Sequence, residues 1–181
     1  MFLGADGSGT TSAAIAALNY ATRMRRDFGI DVVATNNSWG GGGASTALRD
    51  AIAAGEAAGI VCVAAAGNET ANNDFTAAFP GNYATLSVAA TDSSNRLASF
   101  SNYGVTTVDV AAPGVGILST VPDGGYASYS GTSMAAPHVT GVVALMKVAN
   151  PRATVGQVRT AILSTAVPVS GLAGKVVTGG V

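Results

Sequence analysis

The sequence predicts an α/β fold: a mostly parallel, twisted sheet with helices on both faces, in three layers. Three observations lead there. Through residue 65 the pattern runs strand, helix, strand, helix, strand, and helical crossovers of this length join parallel strands. Of the 181 residues, 48% are apolar and only 10% are charged, enough to bury a sizeable core. With Gly at 24 and alanine common, helices can approach a sheet closely.

Met1-Phe2-Leu3-Gly4 reads as the tail of a strand, and Ala5 to Thr11 as a Gly/Ser loop. Thr11 or Ser12 caps a helix to about Asp27, with Ile15, Leu18, Ala21 and Phe28 near one face. Arg23, Arg25 and Arg26 fall in its last turns, where the helix dipole favours cations. Asp31 to Asn37 is a strand, broken by Ser38-Trp39-Gly40-Gly41-Gly42-Gly43. Ser45 or Thr46 opens a second helix with the stripe Leu48, Ala51, Ile52 and Gly55. Gly59 ends it, and Ile60 to Ala65 is a buried strand.

Residues 66 to 84 form a polar loop. Short strands follow at Thr85–Ala90, Leu97–Ser101, Val108–Ala111 and Ile117–Thr120, and Asp123-Gly124-Gly125 turns a hairpin into Tyr126–Tyr129. A helix through Ser133 runs to about Ala149, where Asn150-Pro151 stops it. Val155, Val158, Ala161 and Ile162 mark a last amphipathic helix. No internal repeat or domain boundary interrupts the chain.

Composition narrows the function classes. The formal net charge is −1 without a basic run, which gives nucleic acid no footprint. No apolar run reaches the length of a membrane span. Cys62 is the only cysteine, so no internal disulfide can form, and its strand makes it a core thiol. Met1-Phe2-Leu3 is followed at once by glycine and polar residues, so these first residues are not expected to act as a signal peptide.

The chemistry centres on Ser130-Gly131-Thr132-Ser133-Met134-Ala135-Ala136-Pro137-His138-Val139-Thr140-Gly141. A loop of small residues runs straight into a helix. A serine at such a join can be an N-cap. It can also be a nucleophile, its hydroxyl at the positive end of the helix dipole beside free backbone N–H groups that suit an oxyanion. Pro137 is expected in the first turn, where a missing N–H costs little. Ala64-Ala65-Ala66-Gly67-Asn68 ends a buried strand in Gly-Asn, at the strand end where α/β sites form.

Gly131-Thr132-Ser133-Met134-Ala135-Ala136-Pro137-His138-Val139 resembles the nucleophile segment of the subtilisin-like serine proteases, the subtilases. The resemblance implies a subtilisin-like fold, with Ser133 as nucleophile. It makes Asn68 the side-chain donor of the oxyanion hole, with Ser133 N–H as the second donor. Ser38-Trp39-Gly40 is similar to the family's substrate edge, where an extended peptide adds as a strand. Between that edge and Ala65-Ala66-Gly67 would lie the pocket for the residue before the scissile bond. Phe79-Pro80-Gly81, Ser99-Phe100-Ser101-Asn102-Tyr103-Gly104 and Val110-Ala111-Ala112-Pro113-Gly114 follow in family order, so the likeness runs from about Asn37 to Pro151.

The family's triad also needs an aspartate in a D-[ST]-G segment and a histidine in an H-G-T-H segment, and neither occurs here. His138, the single histidine, lies five residues beyond Ser133 on the same helix. That places it roughly 140° round and about 7 Å along the axis, out of reach for a general base. The expectation is one partial catalytic domain over residues 1–181, incomplete at the N-terminal side and lacking a closing C-terminal helix. Two functions stay open: a serine endopeptidase whose base lies outside this chain, or a catalytically dead peptide-binding module. The chemistry requires no cofactor. The family implies a possible structural calcium at no assignable site, an extracellular setting, and an extended peptide or protein as substrate. Asn72-Asn73-Asp74 reads as a solvated turn.

Overall fold

Capping residues set the first two helices. A computed structural model of the chain describes residues 7–181; the strand tail expected at Met1 to Gly4 lies outside the described residues. Helix α1 (Thr11–Phe28) starts one residue earlier than Thr11 or Ser12 capping implies, because Thr10 is the cap and accepts from Ala13 N–H. Gly29 closes it at φ 68°, a left-handed turn that glycine makes without steric cost. Arg25 joins the helix end to its neighbours, donating to the carbonyls of Ala58 at 2.6 Å and Val32 at 2.9 Å and to the Asp31 carboxylate at 2.5 Å. With Asp31 and Val32 so engaged, strand β1 spans only Ala34–Asn37, not Asp31–Asn37. Ser45 caps helix α2 (Thr46–Ala57) by accepting from Leu48 N–H, and strand β2 (Val61–Ala65) follows.

Strands β3 (Leu86–Thr91) and β4 (Val110–Pro113) complete a sheet of order β1-β2-β3-β4, parallel throughout. Every residue of β2 and β3 is buried, so both faces must be covered, as parallel sheets require. Successive side chains point to opposite faces. On one face Val61, Val63, Leu86, Val88 and Val110 pack with helix α3 (Thr132–Ala149) and helix α4 (Val155–Thr165). Ala135 and Ala136 are fully buried there, and their small size lets α3 lie across all four strands. On the other face Cys62 sits beneath Leu18 of α1 and Leu48 and Ile52 of α2. Ala89, Val108 and Ala111 are covered by Leu172 and Val176 of the C-terminal segment. The result is the expected three-layer α/β arrangement. Burial pushes the Cys62 thiol up to about 12, as befits a core residue.

Two strands depart from expectation. Leu97–Ser101 forms no strand; only Leu97 bridges, antiparallel, to Thr91. Asp92 caps a tight turn through Ser94 and Arg96 N–H, returning the chain to β3, and the Ser101 hydroxyl then accepts from Ala90 N–H in place of a backbone carbonyl. The expected strand Val108–Ala111 begins later, at Val110. The hairpin forms as β5 (Ile117–Val121) and β6 (Gly125–Tyr129), with Asp123 and Gly124 between them at φ 66° and 76°. Among the described residues no helix is long and apolar enough to cross a membrane.

Asn72-Asn73-Asp74 is not a solvated turn, because Asn73 is 1% exposed and donates to the Ala66 carbonyl. Asp74 clamps the 66–84 loop to the next turn, accepting from Val105 N–H at 2.8 Å, Thr106 N–H at 3.1 Å and the hydroxyls of Thr106 and Thr107. These donors suit a carboxylate, and among the described residues no three His, Cys, Asp or Glu side chains gather as a metal site. Burial works to raise the Asp74 pKa, but the Thr106 and Thr107 hydroxyls with the two N–H groups outweigh it and hold the carboxyl below its usual range. A lowered folded-state pKa gives stability that is present above the unfolded carboxylate range of about 4 and lost as pH falls through the folded value. Amide exchange at Val105 and Thr106 should therefore accelerate, beyond its intrinsic pH dependence, only below about pH 4. Asp74→Asn should abolish that acid step.

Candidate active site

Three segments distant in sequence meet at the carboxyl ends of β1 and β2. Asn68 leaves the end of β2, Ser38 the end of β1, and Ser133 stands in the first turn of α3. The N-cap of α3 is Gly131, without a side-chain bond, and Ser133 is the helix's second residue. Ser133 is therefore no cap. Its backbone N–H, in the first turn, has no intrahelical acceptor and is free to bind an anion.

Thr132 sets the donor beside it. Its N–H and its hydroxyl both bond the Asn68 Oδ1, at 2.9 and 3.0 Å, and the same hydroxyl accepts from Gly67 N–H at 3.1 Å. A backbone N–H can only donate, so the amide oxygen must face Thr132 and Asn68 Nδ2 must point the other way. Asn68 Nδ2 hydrogen-bonds no other described residue. Asn68 and Ser133 both line a cavity of about 400 Å³, together with Trp39, Gly40, Ala65, Ala66 and Gly67. Ser38 is not in its wall but touches the serine directly: Ser38 Oγ donates to the Ser133 carbonyl at 2.7 Å, and Ser133 Oγ donates to the Ser38 carbonyl at 3.3 Å. Trp39 serves two surfaces, since it also packs on the Leu18, Leu48 and Ile52 cluster and donates to Asn37 Oδ1.

Asn102 carries a role that sequence reasoning missed. It is 1% exposed, and all four of its amide valences are used. Oδ1 accepts from Glu69 and Ala71 N–H, both at 2.9 Å, while Nδ2 donates to the Ala66 carbonyl and to Glu69 Oε2. Its own N–H donates to the Gly67 carbonyl. The side chain thus adds to the backbone bonds that tie residues 66–71 to Phe100, Asn102 and Tyr103, supplying the acceptor for the two N–H groups those bonds leave over. Gly67 is glycine for this reason: φ is 111°, and a Cβ would collide with Asn102 Nδ2. The only sequence signal was an asparagine in a Ser-Asn-Tyr-Gly turn, whose partners lie more than thirty residues away.

His138 does not approach Ser133. It is exposed on α3, with Nδ1 against the Met134 carbonyl at 2.8 Å. Among the described residues no imidazole or carboxylate hydrogen-bonds Ser133 Oγ. Pro137 also sits differently from expectation. As the sixth residue of α3 it lies beyond the first turn, and its missing N–H deprives the Ser133 carbonyl of its helical donor.

A model of the Subtilase family matches residues 1–179. The chain belongs to the subtilases. It is 43% identical over 165 residues to the alkaline elastase YaB of Bacillus sp. (strain YaB), a match covering 91% of this chain and 41% of that protein. Over 166 residues it is 43% identical to subtilisin DY of Bacillus licheniformis, covering 91% of this chain and 58% of the relative. The chain thus spans 41% to 58% of the length of these two curated relatives. A crystal structure of a cold adapted subtilisin-like serine proteinase superposes with a TM-score of 0.86 at 37% identity, covering 97% of this chain and 64% of that one. This subtilase chain brings every site residue expected from the sequence to one region, with Ser38 bonded to Ser133 and the others on the cavity.

Asn102→Ala should leave the N–H groups of Glu69 and Ala71 without their acceptor, and the Ala66 carbonyl with Asn73 as its remaining side-chain donor. At about 1–3 kcal/mol for each buried group left unpaired, the loss should exceed about 2 kcal/mol in a denaturant melt. The Asn68 side-chain amide resonances should broaden or shift in the same variant.

Proposed function

We propose that this chain is the nucleophile-bearing part of a serine endopeptidase that acts outside the cell on extended peptide segments. Ser133 Oγ attacks the scissile carbonyl, giving a tetrahedral oxyanion and then an acyl-enzyme. Asn68 Nδ2 and Ser133 N–H donate to the oxyanion. Ser38, Trp39 and Gly40 form the edge along which substrate adds by main-chain hydrogen bonds, and Ala65, Ala66 and Gly67 face it across the pocket. The observation that carries the reading is the convergence of a hydroxyl, a free helix N–H and a held side-chain amide on one cavity.

The attack needs a proton acceptor within about 3 Å of Ser133 Oγ. His138 is the single histidine and faces Met134, so the base and its orienting aspartate must come from polypeptide outside these 181 residues. Without them Ser133 has an ordinary, poorly nucleophilic hydroxyl. In subtilisin itself, losing the triad costs about 10⁶ in turnover and leaves about 10³–10⁴ over water, magnitudes known for that enzyme and not obtained from this geometry.

The test supplies an N-terminal portion carrying the D-[ST]-G and H-G-T-H segments, in cis or in trans, and follows peptide cleavage and labelling by a serine-directed phosphonate. Cleavage with label on Ser133 is expected. A well-folded reconstituted domain that binds extended peptides yet neither cleaves them nor takes label would make the protein a peptide-binding module instead. In the active reconstituted domain Asn68→Ala should lower kcat by about 10²–10³ with little change in KM, the size known from subtilisin's own oxyanion asparagine.

A further inference from the structure

An α-helix bonds each N–H to the carbonyl four residues back, so residue 137 would ordinarily serve the carbonyl of Ser133. Pro137 has no N–H to give. The carbonyl deprived of its donor belongs to the residue whose hydroxyl lies in the cavity. Ser38 Oγ occupies the vacant donor position at 2.7 Å, reaching across from the end of β1.

We propose that Ser38 is a positioning residue for Ser133, its hydroxyl standing in for the N–H that Pro137 lacks. The direction of the bond is fixed by chemistry. A carbonyl only accepts, so at this separation the Ser38 proton must lie on the line to Ser133. Ser38 Oγ is then left as an acceptor, and Asn36 Nδ2 donates to it at 2.9 Å. Asn36 Oδ1 in turn accepts from the Thr140 hydroxyl at 3.1 Å, which returns the chain of bonds to α3 two turns further on.

The return bond makes this more than a helix repair. Ser133 Oγ donates to the Ser38 carbonyl, so the two serines are joined crosswise, each side chain to the other's backbone. The shorter bond holds the peptide plane after Ser133, and the longer one, at 3.3 Å, biases its side-chain rotamer. The Ser38 side chain does not line the cavity; it acts through Ser133. Proline has a use here as well, since it frees a carbonyl inside a helix to take a tether from a different strand.

The inference rests on reading Ser133 as the nucleophile, but its test uses no turnover. A double-mutant cycle of Ser38→Ala and Pro137→Ala is measured in the whole 181-residue chain by denaturant unfolding, alongside the Ser133 carbonyl and Cβ carbon resonances. With Pro137 in place, Ser38→Ala should lower the folding equilibrium constant by about fivefold. It should also shift the Ser133 carbonyl resonance upfield and average its side-chain rotamers. In the Pro137→Ala background, where the helix regains an N–H at that position, the stability loss should shrink below about twofold and the carbonyl resonance should return. Equal losses in both backgrounds, or a Ser133 carbonyl resonance indifferent to Ser38, would overturn the assignment. A reconstituted domain that never cleaves peptide would count against the proteolytic reading and leave this result standing.

Discussion

Thr132 is where the loop from the sheet and the central helix are tied together, and the rest of the site takes its geometry from that tie. Its fully buried hydroxyl accepts from Gly67 and shares Asn68 Oδ1 with the neighbouring N–H. Each such bond adds only about 1 kcal/mol net, yet leaving a buried partner unpaired costs about 1–3 kcal/mol. The tie is therefore specified more by the penalty for breaking it than by the gain from making it. Its consequence is directional. An asparagine amide that could turn either way in water is held with its NH₂ group toward the cavity, before any substrate arrives. Oxyanion stabilisation depends on donors fixed in advance, so in the proposed reaction this small contact would carry weight beyond its share of folding energy.

Perturbed carboxylates can mark functional sites, but the buried one here lies at the wrong end of the sheet. Asp109 precedes β4, accepts from Ser87 N–H near the start of β3 and pairs with Arg159 Nη2 at 2.6 Å. Burial raises its pKa, and the Ser87 N–H and Arg159 only partly offset that. These are the amino ends of the strands, whereas Ser38 and Asn68 leave the carboxyl ends. The ion pair fastens α4 to the sheet and has no access to Ser133. Topology separates the two roles: rigidity is concentrated at one end of the strands and chemistry at the other, as in open α/β sheets generally.

What could be read from the sequence divides along the same physical line. Strand β2 is evident because burial on both faces forces an unbroken apolar run, β3 because its run is interrupted only by Ser87 before Thr91, and α2 because its stripe keeps helical spacing. The segments holding Ser133 and Asn68 stood out as strings of residues whose local chemistry needs no distant partner to be recognised. Leu97–Ser101 has the alternation of a strand but gives its ladder position to the Ser101 side chain, an exchange invisible to periodicity. Thr132, Asn102 and the hydroxyl of Ser38 went unassigned because their partners lie 64, 33 and 95 positions away in the chain. Pro137 was misplaced by the same limit. Its meaning depends on where the helix begins, and helix ends are set by caps such as Gly131 that carry no side-chain signal.

The two halves of the proposed chemistry, anion binding and proton transfer, call on different kinds of group. The groups proposed to bind the oxyanion also hold the fold: a helix N–H, an asparagine latched by Thr132, and a loop propped by Asn102. Of their side chains only that of Asn102 bonds a titratable one, Glu69, and loosening the Thr132 latch or the Asn102 prop would cost stability as well as the proposed function. Proton transfer needs a group whose pKa lies near neutrality and whose nitrogen reaches Ser133 Oγ. Nothing in the packing of α3 against β1–β4 calls for such a group, so the groups proposed to hold the oxyanion can be in place whatever supplies the base. The Ser133 hydroxyl meanwhile donates to the Ser38 carbonyl, satisfied but not activated. An arriving imidazole would have to compete with only that one bond, 3.3 Å long and weak, to take the proton and start the reaction.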